Sequence, residues 1–217
     1  MKKPDNVLKQ DVYNEMGWDL LLGSSRVRVS VDKGEVTLTG AVHSYKESLQ
    51  AAEDAATVCG VVAVHNKLLV GPEGEAATDE AIEQECKLRL GKAKAVPAGA
   101  VTVAVNDGWL TLSGTARNHF ERLAAKNAVR DVDGVRGVVD DIRISTGPVP
   151  SDIAQSVRQA LDRKALLQGS SVSVSNVGKT VYLDGSVASY RARLEAEDVA
   201  WGAPGVEEVV DRIVVAV

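Results

Sequence analysis

The side chains best suited to chemistry are few and do not converge. Three histidines, His43, His65 and His119, have the right chemistry for a base or a metal ligand, and Cys59 and Cys86 for a nucleophile. Catalysis needs such a group held by partners at a defined site. No histidine recurs at an equivalent place in the chain, and His119, which follows a helix cap, reads as a surface turn residue. No H-E-x-x-H, G-x-S-x-G or phosphate-binding glycine loop is present. Two cysteines on separate predicted helices, at unrelated spacing, form neither a disulfide framework nor a zinc motif and read as free packing residues. The pattern points away from an enzyme, with no metal and no cofactor expected. One polar set does recur, Asn66, Asp140 and Asp211, each at the same place in a repeated strand. Strand parity sets this position on the face of Val64, Leu68 and Val70, where a covered polar group needs a partner. Either a structural hydrogen bond to a helix end or bulge, or ligation of a cation or headgroup, would supply one.

The elements that position these residues are written three times. "VTLTG" (36–40) returns as "LTLSG" (110–114) and "VYLDG" (181–185), at offsets of 74 and then 71. Leu8, Val12 and Met16 correspond to Ile82, Cys86 and Leu90 and to Ile153, Val157 and Leu161, an i, i+4, i+8 helix stripe. Val27, Val29 and Val31 alternate with polar residues as a half-buried strand. "DKG" and "NDG" are hairpin turns, and the third copy has a less regular "NVGKT". A second helix follows Ser44, Asn118 and Ser189, with capping-box spacing to Glu47 and Glu121 but Ala192 in the third copy. Each such helix is expected to stop at Gly60, Gly134 or Gly205 before a last strand. The fold class is α+β: three tandem α-β-β-α-β modules over 1–70, 78–146 and 150–217. Each is a three-stranded mixed sheet with two helices packed on one face. "GPEGEAA" and "GPVP" read as linkers.

Bulk composition narrows the partners. At 45% hydrophobic and 25% charged the chain is of the soluble globular type, and with 4% aromatics its core must be aliphatic. The net charge of −5 is shared as −1, −2 and −2 among residues 1–72, 73–146 and 147–217. No third is basic, which excludes a nucleic-acid backbone as main partner and purely electrostatic attraction to anionic lipid. No apolar run of spanning length and no signal peptide follow "MKKPDNVLKQ". The chain as written is therefore expected in the cytoplasm, or in the periplasm if a leader has been removed.

The repeat order, the "V-x-L-x-G" strand, the capped second helix, the "G-V" pairs (Gly60-Val61, Gly134-Val135, Gly205-Val206) and the Asn/Asp of the last strand together resemble the BON domain. That module is named for bacterial OsmY and nodulation proteins, and the likeness covers nearly the whole chain. The resemblance implies binding to phospholipid membranes or other envelope surfaces, and an OsmY-like role in osmotic or envelope stress. A relative with an added peptidoglycan-binding-type module binds potassium, which makes Asn66, Asp140 and Asp211 candidate cation positions.

The residues offer one candidate surface for lipid or a protein partner. Leu49, Leu123 and Leu194 lie roughly opposite the core side of the second helix, and Tyr45 and Tyr190 one turn earlier. Lys46, Arg117, Arg122, Arg191 and Arg193 lie near the helix start, whose free N–H groups favour phosphate. Trp109 is expected at a hairpin tip. The expected partner is a phospholipid surface or an envelope protein, with chaperone-like binding and cation sensing as alternatives. Nothing in the sequence sets an oligomeric state.

Overall fold

The computed structural model describes residues 3–19, 22, 26–71, 77–147 and 152–216. Module one contains α1 (Asp5–Trp18), β1 (Arg26–Asp32), β2 (Glu35–Val42), α2 (Tyr45–Thr57) and β3 (Ala63–Val70). Module two contains α3 (Asp79–Lys92), β4 (Val101–Asn106), β5 (Trp109–Ala116), α4 (His119–Val129) and β6 (Gly137–Ile144). Module three contains α5 (Ile153–Asp162), β7 (Ser171–Val177), β8 (Thr180–Val187), α6 (Tyr190–Trp201) and β9 (Glu208–Val215). Each forms its own three-stranded sheet. The middle strand is antiparallel to the first and parallel to the third, with the second helix as crossover. Among the described residues no helix is long and apolar enough to cross a membrane.

Each module buries a separate core. The first helix contributes the expected stripes, including Leu8, Val12 and Met16. The middle strand buries alternate residues: Val36, Leu38 and Val42, then Leu110, Leu112 and Ala116, then Val181, Leu183 and Val187. The second helix faces them mainly with small side chains, Ala51 and Ala55, Ala125 and Val129, Ala196 and Ala200. Small residues there let helix and sheet approach closely, which is how a core poor in aromatics still excludes water.

Two backbone features fix the register. Gly40, Gly114 and Gly185 have φ of 118°, 141° and 130°. A Cβ on them would lie 2.0, 2.1 and 1.8 Å from the carbonyl oxygens of Arg26, Ala100 and Ser171. The last letter of the repeated strand is therefore a position only glycine can occupy. In the first two hairpins, Lys33-Gly34 and Asp107-Gly108 have positive φ at both turn residues, as a type I′ turn demands. The carboxylates of Asp5 and Asp79 accept both turn amides at 2.7–3.1 Å, tying the first helix to the turn. The third hairpin places glycine first, so Gly178 alone takes the positive φ.

Two sequence expectations need correction. The second helices end at Thr57, Val129 and Trp201, a few residues before Gly60, Gly134 and Gly205, which take positive φ in the turn that follows. Cys59 lies in that turn and is exposed, whereas Cys86 is buried in α3, where burial pushes its thiol up to about 11. Gly114→Ala should lower the stability of module two by at least roughly 1–3 kcal/mol, the cost of a strained backbone residue, before relief of the contact with Ala100. Thermal unfolding followed by circular dichroism would measure it, with the exposed Gly147→Ala as control.

Candidate functional site

The recurring polar strand position is satisfied from within each module. Asp140 accepts from Arg122 Nε at 2.8 Å, with Lys126 Nζ at 3.5 Å, and from the Ile142 amide at 3.2 Å. Asp211 accepts from Arg193 Nε at 2.7 Å and from the Ile213 amide at 2.8 Å. In module one the pair is smaller and neutral. Asn66 Nδ2 donates to the Ser48 carbonyl at 2.8 Å and to its hydroxyl at 2.9 Å, while Asn66 Oδ1 accepts from the Leu68 amide. Ser48, Arg122 and Arg193 are themselves equivalent, so helix and strand partners change together from copy to copy. The side chains of Asp140 and Asp211 are only 10% and 11% exposed, and a cation there would have to displace a guanidinium. Among the described residues no cluster of three or more acidic, histidine or cysteine side chains could hold a metal ion. The position is a strut between the second helix and the third strand.

The first residue of each second helix does something the sequence did not announce: it leaves its own module. Tyr45 packs against the core of module two, and its phenolic oxygen is hydrogen-bonded to the Val138 backbone; burial pushes its pKa up. His119 of module two stacks on Trp201 of module three, centroids 5.0 Å apart and planes 20° from parallel. Tyr190 of module three packs against the core of module one, its amide donating to the Val61 carbonyl at 3.3 Å, while Val62 packs against the core of module three. Module one thus docks on two, two on three, and three on one. A repeated head-to-tail contact that returns to its start is a closed ring. The seam between modules two and three has a second tie. The Thr146 amide donates to Glu207 Oε1 at 2.7 Å, and Lys179 Nζ reaches the same oxygen at 2.7 Å and the Thr146 carbonyl at 3.0 Å.

Residues 4–72, 78–146 and 151–217 each match the BON domain. The chain belongs to the BON domain family. These BON modules are 34% identical over 125 residues to the Osmotically-inducible protein Y of Escherichia coli (strain K12), a match covering 55% of this chain and 62% of that protein. The match spans less than two thirds of that relative. Two solved structures from Chlamydia trachomatis align with 97% and 100% of the chain. They are CdsD, a structural protein of the Type III secretion system, and its C-terminal domain. Identities are 16% and 15%, and TM-scores of 0.27 and 0.26 do not establish a shared arrangement.

The ring of BON modules divides the candidate surface residues. Tyr45 and Tyr190, expected at an exposed helix start, lie in seams because neighbouring cores offer them apolar contacts. Arg122 and Arg193, expected as free cations, are held by Asp140 and Asp211. The helix starts are also not open anion sites. Ser44 and Asn118 accept the Glu47 and Glu121 amides, and the carboxylates of Glu47 and Glu121 fold back onto the His43 and Arg117 amides. Burial alone would raise the Glu121 carboxyl, but the Arg117 side-chain and amide bonds outweigh it and hold it low. In module three, Ser189 caps the Ala192 amide and the Tyr190 amide goes to module one.

Leu49 and Leu194 are half-buried, and Lys46 and Arg191 remain exposed. Leu123 is 43% exposed, and Trp109 is exposed over Gly137. Arg117 bonds Glu121 while its side chain stays 77% exposed. The sequence reading missed Phe120, 69% exposed one helix turn from Leu123. Its signal was a break in the repeat: Lys46 and Arg191 stand at the equivalent positions, and this is the chain's single Phe.

Arg122→Ser should cost roughly 1–3 kcal/mol by stranding a covered carboxylate. Adding Asp140→Asn recreates the pair of module one and should recover at least about 1 kcal/mol in a double-mutant cycle read by chemical denaturation. The Lys179 bond, then the Thr146 amide, hold the Glu207 carboxyl below its ordinary range. Its contribution is therefore present above the usual Glu value of about 4.3 and lost as pH falls below it. The drop in melting temperature between pH 5 and pH 3 should accordingly be smaller in Glu207→Gln than in the unaltered protein.

Proposed function

We propose that this protein is a non-enzymatic binding protein of the osmotic or envelope stress response that associates weakly with phospholipid surfaces from the periplasmic side. The observation that carries this reading is the exposed start of the second helix of module two. Phe120 and Leu123 expose apolar surface there, and Arg117 flanks them with an exposed guanidinium. Lys46 and Arg191, equivalent to Phe120 in modules one and three, are exposed cations. An aromatic and a leucine beside a basic side chain suit the boundary between headgroups and acyl chains. With a net charge of −5, insertion rather than charge must supply most of the affinity. The described histidines and cysteines form no catalytic constellation: His65 pairs with exposed Glu35, and His119 lies in a seam. The name of the Escherichia coli relative supports the stress setting.

A protein partner is the second reading, favoured by Trp109, which covers Gly137 beside exposed Val139 on the open sheet face of module two. Cation sensing has no comparable support, since its three candidate positions are already paired.

Co-sedimentation with phosphatidylcholine vesicles, with and without phosphatidylglycerol, tests the lipid reading. Phe120→Ser with Leu123→Ser should weaken binding about tenfold or more, in line with roughly 1.5–3 kcal/mol for a buried large apolar side chain. Arg117→Gln should have a smaller effect that shrinks further in high salt. No binding of the unaltered protein to either vesicle, or equal binding by the double variant, removes the reading. Capture of a protein partner that Trp109→Ser abolishes would promote the second.

A further inference from the structure

One position builds all three seams, and only one of its occupants can change charge near neutral pH. Tyr45 and Tyr190 are phenols, whereas their counterpart His119 is an imidazole. We propose that the seam between modules two and three is a proton-operated joint: proton uptake by His119 releases module two from Trp201 and opens the ring there.

The geometry gives the added proton no good place. The buried His119 Nδ1 has no hydrogen-bond partner, so no acceptor stands ready for a second N–H. An imidazolium stacked on indole is attractive by itself. Here, however, the Trp201 ring already receives the Arg122 guanidinium at 5.5 Å. Arg122 and Lys126 face His119 from its own helix, and both would repel a new cation. Of the acids nearby, Asp140 on β6 is committed to Arg122 and Lys126, and Glu121 to Arg117. From α6, Asp198 is an attractive neighbour, and Glu197 accepts from Trp201 Nε1 at 3.4 Å. At the far end of the seam Glu207 is held by Lys179 and Thr146. Burial first, and then Arg122, keep His119 below its ordinary value, so Asp198 does not compensate.

Water reaches the group. A crevice of about 450 Å³ between the two modules is lined by His119, Arg117, Phe120, Thr146, Trp201 and Pro204 among others. The sign follows from linkage. The folded seam holds its proton less tightly than the free side chain. Its stabilisation is complete above the ordinary histidine value of about 6.5 and drains away as pH falls through the lower folded value. The two tyrosine seams stay closed over this range, while the Thr146–Glu207 tie, which spans the same seam as His119, breaks with it.

The test uses the full chain from pH 7.5 to 4.5. Small-angle scattering should show the radius of gyration rising as His119 titrates by NMR. The Thr146 amide, which donates across the same seam, should lose exchange protection over the same titration. His119→Tyr, which gives this seam the residue of the other two, should show neither change. A radius and a Thr146 protection that do not follow the His119 titration overturn the proposal, as does an equal response in a folded His119→Tyr. If that variant fails to fold, the coupling in the unaltered chain decides alone.

Discussion

Tyr45, His119 and Tyr190 are each covered by a module other than their own, and the arrangement of the whole molecule hangs on that exchange. A module of this size buries little apolar surface by itself and gains from a neighbour. Each module offers one ring at the start of its second helix, and each lends a neighbour's ring a surface. Three such units joined head to tail satisfy every contact within one chain. Two of the seams are backed by a short linker. The contact from module three to module one is not, and Tyr190 with Val61 and Val62 must hold it without that help.

Ring closure decides which residues are free to act. It removes the tyrosines from the surface and leaves Phe120, Leu123 and Arg117 exposed beside the one seam built on histidine. The same position thus does two kinds of work. Where it holds tyrosine, it joins modules by burial and hydrogen bonding that do not titrate near neutrality. Where it holds histidine, stacked on Trp201 and beside Arg122, the join depends on charge. Departures from the repeat mark both features: His119 breaks the tyrosine series, and Phe120 breaks the series of cations.

The helix–strand struts show which of the two readings of the recurring polar position the packing uses. Asn66, Asp140 and Asp211 recur because the third strand passes under the second helix at a point where a polar group is partly covered. Ser48 is matched to Asn66, and Arg122 and Arg193 to aspartates. The pairing is eighteen residues apart in every copy. That separation carries no periodicity a single sequence would reveal, so the arginines looked free, and the sequence left the acids open to either a structural bond or a ligand. A buried carboxylate without its guanidinium would cost more than the pair contributes, which is reason enough for the two to change together.

The order of elements, the helix stripes, the capping boxes and the three separate cores were legible in the chain. They are set by local rules: apolar period, turn chemistry, and a glycine where the opposite carbonyl leaves no room for a Cβ. The threefold repetition multiplied each weak signal. What lay beyond reach was every relation between modules, and with it the exposure of any residue at a second-helix start. An amphipathic tyrosine reads the same whether lipid, water or a neighbouring core meets it. Only the packing of one folded module against the next determines which of these it touches, because that depends on surfaces assembled from residues far apart in the chain.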